Sequence, residues 1–182
     1  MRTFLLSSFP SLSFESPSPL TFTDFLAECR RHLPSAEYEK LDAICATPST
    51  GNTPFAKAWQ QTRAQWQRVN EQKRKEALGL EKSGTTSAES DQLIHDMNAA
   101  WLASDPLLRE KALYKSLWNW IVTQRRQAPF SLTDLMGYAL QLQLIERIQL
   151  WNESEGLTQF KEHTHSFLEP VLEELRKQEL ST

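Results

Sequence analysis

The stretch FSLTDLMGYALQLQLIERIQLW, residues 130–151, decides the fold. Ser131 and Asp134 stand three apart just before an apolar run, which is the signature of a helix start in which the hydroxyl caps the first turn. Leu135, Met136, Ala139, Leu140, Leu142, Leu144, Ile145, Ile148 and Trp151 follow at spacings that cover more than half of a helix's circumference. A helix this apolar belongs at the centre of a bundle, with other helices around it.

The segments on either side supply those helices. Thr21 and Asp24 mark a start like that of Ser131, for a helix carrying Phe22, Phe25, Leu26, Cys29 and Leu33 and stopped by Pro34. Ser35 is read as the cap of a short helix bearing Tyr38, Leu41, Ile44 and Cys45. A long helix runs from Phe55 to about Leu78, with Phe55, Trp59, Trp66, Val69 and Leu78 as a thin stripe and Gly79 placed to end it. A helix from about Glu89 to Ala103 turns Leu93, Ile94, Met97 and Trp101 inward. Asp105-Pro106 opens another, carrying Leu107, Leu108, Ala112, Leu113, Leu117, Trp118 and Ile121 up to Pro129. Beyond Gly156 a last stripe, Leu157, Phe160, Phe167, Leu168, Val171, Leu172 and Leu175, is broken or kinked at Pro170.

Strand-like alternation is nearly absent after residue 22. Pro10, Pro17 and Pro19 predict an extended or looped course for the first twenty residues, with a strand-like piece at 3–7. The expected fold is therefore all-α, an irregular bundle of about six to seven helices with an extended N-terminal segment. The turn-forming run ATPSTGNTP at 46–54 divides residues 1–46, with two short helices, from a bundle at 55–182, with 47–54 as linker, the alternative being one continuous domain.

The opening MRTFLLSSFPSLSF begins like an export signal, but its apolar run is only Phe4-Leu5-Leu6 before two serines and Pro10. A signal needs roughly 7–15 apolar residues, so this segment is expected to stay with the folded protein, packed against it. No stretch approaches the roughly 20 apolar residues of a membrane-spanning helix. The two cysteines stand 16 apart with no CxxC, which indicates neither a disulfide framework nor a zinc site and makes the cytoplasm the expected location.

Charge is uneven. Residues 57–82 hold seven Lys/Arg against three Glu, and residues 153–182 hold seven Glu against three Lys/Arg. The net charge of -3 argues against a general nucleic-acid binder. The basic stretch reads either as a solvated helix face or as a surface for an acidic partner, its residues being Arg63, Arg68, Lys73, Arg74 and Lys75, with an exposed Trp59 or Trp66 as aromatic anchor.

Catalytic chemistry is hard to assemble. His163 and His165 are two apart, pointing away from each other on a helix, and His32 and His95 stand alone. The acidic pairs Glu37/Glu39, Glu153/Glu155 and Glu173/Glu174 have the character of helix surfaces. Five of the six tryptophans lie in apolar stripes, while Trp118 and Trp120 cannot face the same way, which leaves one of them for a second lobe or a partner. No catalytic residue, metal ligand or cofactor site is expected.

Four stretches carry a family resemblance: FLLSSFPSLSFESPSPLTFTDFLAECRRHL at 4–33, FAKAWQQTRAQWQRVNEQKRKEALGL at 55–80, SDPLLREKALYKSLWNWI at 104–121 and FSLTDLMGYALQLQLIERIQLW at 130–151. In this order, over most of the chain, they resemble a bacterial family encoded beside V-type ATPase genes. Through the N-terminal part they distantly resemble the helical socket of those machines, which joins the central rotor stalk to the membrane ring and is termed C in the bacterial enzymes and d in the eukaryotic ones. The resemblance implies a non-catalytic helical accessory piece, in contact with other ATPase components on the central-stalk or membrane-ring side. It would meet the membrane only indirectly, peripheral to the inner membrane within the complex. The chain is shorter than a full socket protein of that kind, whose helical lobes repeat threefold, and it shows no internal repeat. The alternative is a helical adaptor for protein or nucleic acid unrelated to the ATPase.

Overall fold

A computed structural model describes residues 2–46, 52–80 and 92–151. Among them are seven helices and no strand: α1 (Arg2–Ser8), α2 (Phe22–His32), α3 (Ser35–Ala46), α4 (Pro54–Ala77), α5 (Gln92–Trp101), α6 (Pro106–Gln127) and α7 (Leu132–Gln149). The all-α expectation holds. The helix expected over 157–175, with His163 and His165, lies outside the described residues, as do 47–51 of the expected linker. The chain falls into two units, residues 1–146 and 147–182. Of the second, only residues 147–151 are described.

Capping chemistry sets the helix starts. Thr21 Oγ1 accepts from Asp24 N–H at 3.1 Å and donates to the Asp24 carboxylate at 2.7 Å. Thr53 Oγ1 accepts from Ala56 N–H ahead of Pro54, and Asp105 accepts from both Leu107 and Leu108 N–H ahead of Pro106. Each satisfies backbone donors that a helix start leaves open. Ser35 departs from expectation. It is the first helical residue instead of a cap, and the Pro34 carbonyl accepts from Glu37 and Tyr38 N–H. At the end of α4, Gly79 takes φ of +70°, Gly79 N–H bonds to Glu76 O and Leu80 N–H to Lys75 O, the double closure for which glycine is suited.

The opening residues correct the sequence reading. Residues 2–8 are helical, neither extended nor strand-like. Leu5 is buried, Arg2 pairs with Glu37 at 3.4 Å, and Phe4 meets the His32 ring edge-on. A seven-residue helix is too short for periodicity to declare it and draws its stability from such contacts.

As its pattern demands, the body of α7 is buried on all sides, its two ends reaching solvent. Every residue from Asp134 to Leu142, together with Leu144 and Ile145, is buried. Neighbours reach it from most of the chain. Tyr138 Oη donates to Pro10 O at 2.8 Å, Gln143 to Cys45 O at 3.2 Å, and Phe22 N–H to the Glu146 carboxylate at 2.6 Å. Phe9 and Phe25 both stack on the Tyr138 ring. Phe9, Pro10, Phe22, Phe25 and Cys45 thus all meet α7 within the first unit.

Helices α4, α5 and α6 form the other wall. Phe55, early in α4, stacks on Trp120, late in α6, and Trp59 meets the same ring at a tilt, while Arg74 at the end of α4 pairs with Glu110 at the start of α6. The two helices are therefore antiparallel. Asp96 in α5 accepts from Asn119 in α6, and Trp101 at the end of α5 lies under the Arg109 guanidinium. So the ends of α4 and α5 and the start of α6 meet at one end of the bundle. The Trp118/Trp120 question resolves internally: Trp118 packs edge-on against Phe14, and Trp120 fills the seam with α4.

Candidate functional site

The α4 surface comes first, because the sequence points there. An α-helix turns about 100° per residue, which places Arg63 and Arg74 roughly 40–60° to one side of Trp59, Lys73 about 40° to the other, and Arg68 and Lys75 nearly opposite. The five cations do not share one edge, contrary to the expectation from sequence. Three are engaged within the chain: Lys73 with Glu76 at 3.1 Å, Arg74 with Glu110 at 3.1 Å and Lys75 with Glu71 at 3.3 Å. Arg63 is half-buried and Arg68 exposed, and neither makes an ion pair among the described residues.

The aromatic anchor is corrected too. Trp59 is 4 % exposed, locked between α4 and α6. Trp66 is partly covered, donates its indole N–H to Leu113 O at 3.1 Å and meets Tyr114 edge-on. Both rings hold α4 to α6. For Trp66 the neighbouring helix supplies both the apolar cover and the acceptor an indole needs, while for Trp59 it supplies cover alone, its buried indole N–H having no partner among the described residues.

What α4 does offer lies at its end. Leu78, Leu80, Leu102 and Leu108 are 58–86 % exposed, and all four sit where α4 and α5 finish and α6 begins. Single exposed leucines are ordinary. Four fall where these three helix ends meet.

A second constellation escapes sequence reasoning. At the corner where α6 passes into α7, Asp134 accepts from Arg125 Nε at 2.7 Å and from Phe130 N–H at 2.9 Å. Arg125 Nη1 donates to the buried Gln141, and its guanidinium carbon lies 5.1 Å from the centre of the Tyr138 ring. Ser131 Oγ accepts from Asp134 N–H and donates to Ala128 O, so the expected cap forms while the acid itself turns to arginine. Phe130, held by Asp134, takes the left-handed φ of +57°. Burial pushes the Tyr138 hydroxyl up to about 12, the neighbouring Arg125 charge working against that shift. Gly137 makes room for the arginine. A β-carbon there would lie 2.5 Å from Arg125 Cγ. Val122, Arg125, Arg126, Pro129 and Asp134 line a cleft of about 320 Å³ beside this corner.

The cysteines are buried or half-buried, and burial, aided by Glu28 at Cys29 and by Asp42 at Cys45, pushes each thiol up to about 12, away from nucleophilic chemistry. His32 lies 3.5 Å from Glu28, and His95 is exposed. No group of three or more His, Cys, Asp or Glu gathers as a metal site among the described residues. No helix among them is long and apolar enough to cross a membrane. Comparison with protein-family models, with curated proteins and with solved structures returned no match.

Proposed function

We propose that the protein is a non-catalytic helical accessory piece of a bacterial V-type ATPase, similar in kind to the socket that joins rotor stalk to membrane ring, and that it works through contacts with other ATPase components on the central-stalk or membrane-ring side. The four stretches quoted above support the ATPase setting. The observation that carries the contact reading is the leucine end, Leu78, Leu80, Leu102 and Leu108, with the exposed Arg68 outward on the same α4 helix. Apolar contact at that end would hold the partner, while charges along α4 set register and association rate more than affinity. The mechanism is mechanical. A helical body with α7 buried at its centre keeps its shape under load and passes force through a fixed junction.

The test is a pull-down of the tagged protein from its native host, read by mass spectrometry, beside the double variants Leu102→Glu/Leu108→Glu and Arg68→Glu/Arg74→Glu. Recovery of ATPase components with the wild type, lost with the leucine pair and weakened by the charge reversals, is the expected result. Absence of ATPase components from the wild-type sample refutes the ATPase setting. Their undiminished recovery with the leucine pair refutes the surface.

A further inference from the structure

The α6–α7 corner is built more elaborately than a helix turn needs. Four groups fix Arg125: Asp134 at Nε, Gln141 at Nη1, the Tyr138 face below and Gly137 giving way beside it. Its Nη2 has no hydrogen-bond partner among the described residues, although Arg125 is more than three-quarters covered and lines the cleft. A guanidinium so fixed has lost its side-chain freedom before any ligand arrives, which lowers the entropic cost of binding. Arg126, exposed and without an ion pair among the described residues, stands at the same cleft.

The charges of the lining select the ligand. Asp134, an acceptor without a donor and already engaged by Arg125 and by Phe130 N–H, offers an anionic ligand nothing and offsets one of the two arginines. The remaining balance of one positive charge suits a monoanion better than a phosphate dianion. Carbonyls at the end of α6 would repel an anion, but Arg125 O accepts from Ala128 N–H, and Ala128 O accepts from Ser131 N–H and Oγ. Val122 and Pro129 give the cleft apolar walls, and the volume is at the small end of the range for ligand sites. Arg125 Nη2 and the exposed Arg126 guanidinium leave charge-assisted donors for one carboxylate.

We propose that this cleft receives a carboxylate flanked by apolar groups, carried on an acidic side chain of a partner's peptide segment. The site stands or falls independently of any ATPase association. The probe is a fluorescein-labelled Ala-Leu-Glu-Leu-Ala peptide, acetylated and amidated at its ends, titrated with the full chain and followed by polarisation. A glutamine version serves as control, and isovalerate, the free-acid counterpart, is added as competitor and titrated alone by NMR. The glutamic peptide should bind, the glutamine peptide about tenfold more weakly, as for one lost charge-assisted pair. Arg126→Gln should weaken the glutamic peptide by a similar factor, and Val122→Trp, filling the cleft, should abolish binding. Both positions reach solvent, so these variants should keep the wild-type circular dichroism and melting curve. Competition by isovalerate supports the site. Isovalerate binding that needs Arg126, with no peptide binding, would reassign the cleft to free organic acids and overturn the partner half. Equal binding of the two peptides, indifference to Arg126→Gln, or no binding of either probe would overturn the site.

Discussion

Gly137→Ala separates the built corner from ordinary helix energetics, because the two predict opposite signs. Gly137 lies in the interior of α7, where alanine is favoured over glycine by about 1 kcal/mol. In this structure the new methyl would fall 2.5 Å from Arg125 Cγ, 2.9 Å from Cδ and 3.3 Å from Ile121 Cγ2. The two arginine atoms are near the root of a side chain whose tip is held by Asp134, Gln141 and Tyr138, so relief requires the whole side chain to leave. Its departure removes the counter-charge from the Asp134 carboxylate, 12 % exposed and left with Phe130 N–H alone, and the guanidinium donor from Gln141, 1 % exposed. Breaking a buried pair costs about 3–5 kcal/mol. Arg125 is 24 % exposed and regains some hydration when it moves, so about 2–4 kcal/mol is the fitting figure. Subtracting the helix gain leaves a net loss of about 1–3 kcal/mol, or roughly 3–10 °C in Tm at this chain length. Urea unfolding of the full chain, followed by tryptophan fluorescence, measures it. With Arg125→Ala already in place the obstruction is gone, and Gly137→Ala should then stabilise by up to about 1 kcal/mol. A stabilised Gly137→Ala single variant, or the same loss in both backgrounds, would refute the account of the corner.

Alkaline pH tests the buried thiols and phenol. Cys29 and Cys45 are raised from 9.0 to about 12 and Tyr138 from 10.0 to about 12, so the folded protein holds protons that the unfolded chain releases. Stability should be intact below pH 9 and fall as pH rises from 9 toward 12, by up to about 1.4 kcal/mol per pH unit for each group, seen as a falling urea midpoint; a flat midpoint across that range would contradict the burial. Phe130→Gly should raise stability by roughly 0.5–1 kcal/mol in the same assay, since Phe130 is 52 % exposed and its left-handed backbone costs more with a β-carbon. Deletion of residues 1–14 should cost at least about 3–6 kcal/mol through loss of Leu5 and Phe14, both buried, with Phe9 adding to it. An equally stable truncated protein would show that these contacts are idle. Asp105→Ala should cost about 1 kcal/mol by freeing the Leu107 and Leu108 N–H groups at the start of α6, a loss readable as a lower Tm.

Helix positions are largely legible in the chain because they rest on local chemistry. Thr21, Asp105, Ser131 and Gly79 act within a few residues of themselves, and the apolar run of α7 is too broad for any place but the centre. The α4 surface misleads for a reason equally physical. Cation count says nothing of azimuth or of acids arriving from another helix, and Glu110, which engages Arg74, is 36 residues away. Trp59 and Trp66 look available because their stripe is thin, yet a thin stripe can be sealed by a few large rings, and Trp120 and Tyr114 seal it. The corner is hidden for a third reason. Asp134 fits a helix start and Arg125 a helix end, so each has a complete local explanation, and Gly137 looks like a weak spot in a strong helix. Only the turn through Pro129 brings them together, and then the glycine that costs α7 propensity is the residue that lets an arginine lie against it. A residue that breaks a local rule inside an otherwise consistent element is therefore the place in this chain where a tertiary constraint should be sought first.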